Sequence, residues 1–188
     1  MWIQGDQDLW IPTMGSHAQR AAFCLACGAA LEERHLFGRP RKACSRCDFV
    51  FFHNTPSAAG AVVARGREVL MVLRSIEPGR GRWGFPAGFQ DYGETLEETA
   101  VREVREETGL EVSVSRLLAV VHSKDNPRRF VNLVVYLAEP VAGELRAADD
   151  AADARFFSLD EWPTELAFDN NREILAALMR EFPEGDIN

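Results

Sequence analysis

The chain has 188 residues, of which 46% are hydrophobic and 27% charged, and its formal charge is −8 at neutral pH. That composition supports one core-bearing domain with a small appendage, and excludes both a disordered acidic tail and a uniformly basic nucleic-acid binder. No segment approaches the roughly 18 apolar residues of a bilayer span.

In chain order, residues 1–20 have no basic start followed by an apolar run, so they do not read as a signal peptide. They are expected to form a flexible tail, with Met14 as an alternative start. All four cysteines come next in two Cys-x-x-Cys pairs, Cys24 with Cys27 and Cys44 with Cys47, separated by 16 residues. A two-residue spacer lets both thiolates of a tight turn face one tetrahedral zinc ion. The competing reading, two disulfides in a secreted protein, lacks an export signal. Residues 21–55 are therefore expected to form a zinc ribbon whose metal is structural, because four cysteines leave no open ligand position. Gly38 and Pro40 are expected as the turn of a hairpin between the pairs. Arg34, Arg39, Arg41, Lys42 and Arg46 surround the ribbon. Basic and aromatic residues do not alternate there, so a solvated surface is the expected reading and nucleic acid is not an expected partner.

Asn54 to Ser57 read as a linker, and residues 58–182 as the main domain, ending in a short tail over 183–188. "AAGAVVARGREVLMVLRS" predicts two strands around a turn at Arg65-Gly66. "EPGRGRWG" is a Gly-rich loop and "FPAGF" a short buried strand. "TLEETAVREVREETG" predicts a helix stopped by Gly109. "EVSVSRLLAVVHS", "RRFVNLVVYLAE" and "DARFFSLD" read as further strands, with Asp160 as a cap for the next segment. "NREILAALMREF" carries Ile174, Leu175, Leu178 and Met179 on one face of a helix. Strands mixed with two helices imply an α/β sandwich.

The segment 88–110 packs seven carboxylates against only two basic side chains, Arg102 and Arg105. Like charges at helical neighbour positions cost about 0.2–0.5 kcal/mol per pair. Glu103, Glu106 and Glu107 lie three and four positions apart and share a helix face beside Leu96, Ala100 and Val104. Acids at the rim of a core make sense as ligands of a hard cation such as Mg²⁺. Gly88 and Gly93 are expected to turn the preceding loop so that Glu94 reaches the same face.

The spacing runs from Gly88 to Glu94, then to Arg102-Glu103, an apolar Val104, Glu106-Glu107, Gly109 and Leu110. It resembles, without departure, the signature of the Nudix hydrolase family. The resemblance implies an α/β/α sandwich with a mixed sheet. It implies Mg²⁺- or Mn²⁺-dependent hydrolysis of a nucleoside diphosphate derivative, releasing a nucleoside monophosphate. It assigns Glu106 and Glu107 as main metal ligands with Glu103 contributing, and Arg102 as the tie between helix and loop through Glu94. A ribbon before such a domain is similar to the NADH pyrophosphatases and to the FAD pyrophosphatase group. The Ser-Gln-Pro-Trp-Pro-type segment of the former is absent here, whereas "NTPSAAGAVVA" and "FFSLDEWPTELAF" look like the latter. FAD, ADP-ribose or a similar dinucleotide is thus the expected substrate, with NADH or a nucleoside triphosphate as the alternative. A ligand-sensing Nudix module without catalysis commonly loses signature glutamates, and this chain retains them. A cytoplasmic location follows from the class, and a homodimer is one compatible assembly.

Outside the signature, Arg74 and Arg82 are candidates for phosphate oxygens or are simply solvated. Trp83 and Phe85 read as core packing before base stacking. His122 and Asn126 begin or enter a loop and have no motif behind them, while Pro127 resembles, out of register, the Pro that ADP-ribose enzymes carry past the signature. Asp149, Asp150 and Asp153 are each either an extra carboxylate of the site or part of a solvated loop.

Overall fold

The computed structural model describes residues 21–123 and 130–181. The described residues form two compact units, 21–55 with Phe130 in one and 56–123 with 131–181 in the other.

The first unit is built on a three-stranded antiparallel sheet of β1 (Leu31–Leu36), β2 (Arg39–Cys44) and β3 (Val50–Phe51). Phe37 and Gly38 form the β1–β2 turn, both with positive φ, 51° and 77°. Such two-residue turns match the right-handed twist of a hairpin. Pro40, expected in the turn, instead lies within β2 opposite His35. It is tolerated there because β3 reaches only Lys42 and Ala43, so no third strand asks Pro40 for an N–H.

The second unit holds a mixed sheet of β4 (Ser57–Arg65), β5 (Glu68–Arg74), β6 (Trp83–Gly84), β7 (Ala87–Phe89), β8 (Leu110–Ser123), β9 (Val131–Gly143) and β10 (Ala151–Ser158). The order is β10-β5-β4-β9-β8, with β6 on β5 and β7 on β4. Among the named strands β4 and β9 pair in parallel, from Ser57↔Asn132 to Val63↔Ala138, and the others antiparallel. Ser57, expected in the linker, is thus already part of the central strand. The expected "FPAGF" strand forms only over Ala87–Phe89, β7 serving β4, while β6 on β5 falls at the end of the expected Gly-rich loop. Pro86 stands at the break, where it has no N–H to give a ladder.

Two helices cover the two faces: α1 (Leu96–Thr108) and α2 (Asn170–Glu181). The period of two along β4 decides which residue meets which helix. Ala59, Ala61 and Val63 pack with Ala100 and Val104 of α1. Val62 and Ala64 pack with Ile174, Leu175 and Leu178 of α2. A central strand covered on both sides reads as a continuous apolar run, as β4 does. Ile174, Leu175 and Leu178 are at most 1% exposed, and each such side chain contributes about 1.5–3 kcal/mol by burial. Asp160 caps no helix. It pairs with Arg67 at 2.9 Å, and the chain beyond it runs beside β6, with Trp83 bonded to Glu165 and Ala167. Among the described residues no helix is long and apolar enough to cross a membrane.

Candidate active site and zinc centre

The four cysteines converge. They are free of disulfides, and their sulfurs all lie within 4.8 Å of one another. Cys24 Sγ stands 3.6 Å from Cys47 Sγ, and Cys27 Sγ 3.5 Å from Cys44 Sγ. A tetrahedron of sulfurs about 2.3 Å from zinc would have edges of about 3.8 Å, close to these. The amides of Ala26 and Arg46 donate to Cys24 and Cys44 at 3.3 Å, stabilising thiolate charge within each knuckle. The Arg46 amide chiefly lowers the Cys44 thiol to about 6. The Phe49 amide pulls Cys47 the same way, but the neighbouring Cys44, burial, Cys24 and Cys27 outweigh it and push Cys47 up to about 12. Four thiols at this distance cannot all ionise without a cation, so the set fits zinc.

In the other unit, the site is built on α1. Thr95 caps the helix, its hydroxyl accepting from the Glu98 amide while Glu98 accepts from the Thr95 amide. Gly109 ends it at φ 71°, and its amide donates to the Arg105 carbonyl at 2.9 Å. These caps fix the register of the acidic face.

Arg102 organises that face. Its Nε and Nη2 donate to the two oxygens of Glu94 at 2.7 and 3.0 Å. Its Nη1 donates to Glu103 at 2.6 Å and Glu106 at 3.0 Å, and Nη2 also reaches the Phe89 carbonyl at 3.0 Å. The guanidinium fork thus ties the loop, the end of β7 and two acids of the helix together, which a single ammonium cannot do. Arg102 first, with the Asp91 amide and the Thr99 hydroxyl, lowers the Glu94 carboxyl to about 2.

Gly88 acts differently from the expected sharp turn. It lies in β7 opposite Ala59, and a Cβ there would collide with the Glu103 carboxylate. Its lack of a side chain is the seat of Glu103. Gly93, at φ 96°, does make the turn.

The three glutamates differ. Glu106 is exposed, Glu103 is partly buried, and Glu107 is only 3% exposed. Burial raises the Glu103 carboxyl; Arg102 opposes this, while Glu106 and Asp149 add repulsion. Burial likewise raises Glu107 well above the ordinary range, helped by Glu103, Asp150 and Asp149 and opposed by Arg74. Glu107 Oε2 is buried with no hydrogen-bond partner.

The acidic loop divides. Ala148 donates to the Glu107 carbonyl at 3.0 Å, and Arg146 to the Thr108 carbonyl at 2.9 Å. Ser75 clamps the Asp150 carbonyl through its amide and hydroxyl at 2.7 and 2.8 Å. These bonds bring Asp149 and Asp150 beside the signature acids, and Asp150 is itself raised by burial and Asp149. Asp153 instead pairs with Arg155. No local signal separates the three, because the sorting is done by backbone hydrogen bonds to distant segments.

Arg74 reaches the acidic group, lowering Glu107, while its Nε donates to the Pro78 carbonyl at 2.7 Å and its guanidinium lies over Phe168. Arg82 is exposed, on the turn after β5. Phe85 is core, and Trp83 packs edge-on against Phe157 with a centroid distance of 4.8 Å. His122 Nδ1 contacts Asn132 Oδ1 at 2.9 Å. Asn126 and Pro127 lie outside the described residues.

No three carboxylates among the described residues gather their oxygens as tightly as the four sulfurs. The orphaned Glu107 oxygen and the mutual repulsion of Glu103, Glu107, Asp149 and Asp150 nevertheless fit a hard divalent cation, which satisfies the first and relieves the second.

A NUDIX domain model matches residues 54–178. An ADP-ribose pyrophosphatase of Methanocaldococcus jannaschii is 41% identical over 118 residues, 62% of this chain and 69% of that protein. A NAD-capped RNA hydrolase NudC of Pseudomonas entomophila is 30% identical over 167 residues, 86% of this chain but only 58% of that protein. Among solved structures, a NUDIX hydrolase from Nitrosomonas europaea superposes with a TM-score of 0.77 at 27% identity, over 86% of this chain and 93% of that one. With the signature built on α1 and β7 and a family model spanning most of the chain, this protein belongs to the Nudix hydrolase family.

Proposed function

We propose that the protein hydrolyses the pyrophosphate bond of ADP-ribose or a similar nucleoside diphosphate derivative, releasing a nucleoside monophosphate. The observation that carries this reading is the buried, unpartnered carboxylate of Glu107 among Glu103, Asp149 and Asp150. Such an arrangement is costly unless a cation completes it. Glu106, Glu107 and Glu103 would hold Mg²⁺ or Mn²⁺, which when bound neutralises pyrophosphate charge and acidifies water. Arg102 keeps Glu103 and Glu106 oriented, and a carboxylate of this set accepts the proton of the attacking water. Arg74, next to Glu107, is placed to meet a phosphate oxygen; Arg82 is the more distant candidate. ADP-ribose is favoured over FAD because the archaeal relative named for ADP-ribose is 41% identical. In this reading the ribbon, residues 21–55, is a structural module joined to a catalytic domain over 58–182.

A second reading is action on a NAD-capped RNA. It is favoured by the similarity to NudC extending over 86% of the chain. Chromatography of products separates the two. AMP and ribose 5-phosphate from ADP-ribose, dependent on Mg²⁺ or Mn²⁺, is the expected result. NMN and 5′-phosphorylated RNA from a NAD-capped oligonucleotide, with ADP-ribose untouched, would replace the first reading by the second. Cleavage of FAD alone would return the substrate to the flavin dinucleotide.

A further inference from the structure

The exposed sheet face of the zinc ribbon combines aromatic rings with arginines, two of which have no carboxylate partner among the described residues. Register places Arg34 opposite Arg41 and Leu36 opposite Arg39, so these four side chains share one face of the β1–β2 hairpin. Phe37, in the turn, stacks on Phe52, just past β3, with centroids 6.0 Å apart and planes 30° apart. Arg41 lies over the Phe52 ring at 4.6 Å. Phe37 is 73% and Phe52 47% exposed. Arg34 is shared with Glu32, but among the described residues no carboxylate pairs with Arg39 or Arg41, and Arg41 Nε has no acceptor. A hollow of about 190 Å³ runs from Arg34 and Leu36 to the zinc-site cysteines Cys44 and Cys47, with Asp48 in its wall. Residues 21–55 carry five basic and three acidic side chains within a chain of net charge −8.

We propose that this face binds a single strand of nucleic acid. Flat bases stack on Phe37 and Phe52, and phosphates meet Arg39, Arg41 and Arg34. Two exposed rings in line with a guanidinium supply the stacking platform, and arginines without carboxylate partners supply the backbone contacts. A duplex hides its base faces and cannot use the rings. The sequence concealed the platform because its parts come from a turn, a strand and the end of another strand, not from alternation along the chain. The proposal stands apart from the hydrolytic site and does not depend on which nucleotide is cleaved there.

The test uses the full, zinc-loaded chain and a fluorescein-labelled, uncapped single-stranded RNA, with binding read by fluorescence anisotropy. Phe52→Ala and Phe37→Ala are each expected to weaken binding roughly ten-fold, the loss typical of one stacked base. Arg41→Gln should weaken it too and flatten the salt dependence, whose logarithmic slope for three phosphate contacts is about −2. A duplex of the same sequence should bind weakly. Both Phe substitutions sit on exposed side chains. An unchanged zinc content and unchanged hydrolysis of the small substrate certify that the fold has survived. Equal affinity of the wild type and both Phe variants, or equal binding of duplex, would overturn the proposal. So would a concentration-dependent dimer abolished by Phe37→Ala, which would assign the face to a second copy of the chain.

Discussion

The ribbon gathers four thiols and the acidic helix three site glutamates, yet they do so in opposite ways. In the ribbon the four sulfurs close on one point. On α1 the carboxylates are spread, braced from one side by Arg102 and crowded from the other by Asp149 and Asp150. A soft, closed ligand set commits its binding energy to folding. A hard, incomplete set leaves ligand positions that substrate can fill. The contrast would let one chain use metal ions for two ends without confusing them.

The largest effect should come from emptying the ribbon. Structural zinc contributes about 10–16 kcal/mol to folding of such sites. Stripping it with a strong chelator, or replacing Cys44 by Ser, should therefore unfold residues 21–55. Limited proteolysis would then cut within the ribbon while residues beyond Pro56 stay protected; continued protection of a metal-free ribbon would break the contrast. Next comes Glu107→Gln. Turnover should drop by about 10³-fold, the scale on which removing one electrostatic stabiliser of a transition state acts. The metal-free variant should melt higher than the wild type, since a costly buried charge is gone. A variant that lost activity and stability together would show Glu107 to be a structural residue.

Arg102→Lys is expected to cost about 10–100-fold in turnover, the usual range for residues that orient metal ligands. Its effect should fall on kcat, with the circular dichroism spectrum unchanged. Gly88→Ala tests the seat of Glu103 directly: the added methyl displaces that carboxylate, so activity should fall by a similar factor while the melting temperature changes little. The smallest effect is on pH. In the metal-free protein Glu107 holds its proton above the unfolded-state pKa. The folded state then binds more protons than the unfolded one, and stability declines as pH rises through the raised value, by up to about 1.4 kcal/mol per pH unit. Glu94 runs the other way: its lowered carboxyl supports the fold at neutral pH, and that support is lost as pH falls toward 2. Chemical denaturation across pH should show both limbs, and Glu107→Gln should shrink the upper one, to which Glu103 and Asp150 also contribute, while leaving the lower one in place.

Much of this was legible in the sequence, because the readable parts are local. The Gly109 stop, the period of α1, the apolar runs of β4 and β5 and the two Cys-x-x-Cys turns each depend on neighbours a few residues away. The glutamates and Arg102 could be set on one face by counting, and the Arg102–Glu94 tie is found where the family resemblance put it. What escaped depends on distant segments meeting. Pro40 looked like a turn residue because sequence does not reveal that β3 is too short to need its N–H. Gly88 looked like a hinge because nothing nearby announces the carboxylate of Glu103 that lies against it. Asp150 was indistinguishable from Asp153 until Ser75, half a chain away, clamped one of them.

The seat at Gly88 also bears on how such an enzyme can diversify. Gly88 pairs with Ala59 on β4, the strand at the centre of the sheet. The Glu103 carboxylate is therefore gauged against the buried central strand rather than against the loop between β7 and α1. Loops at the sheet's rim can be lengthened, exchanged or recruited for a new substrate while that reference stays put. An engineer who retains Gly88, Glu94 and Arg102 should be able to graft foreign recognition loops onto this scaffold and keep the chemistry in register.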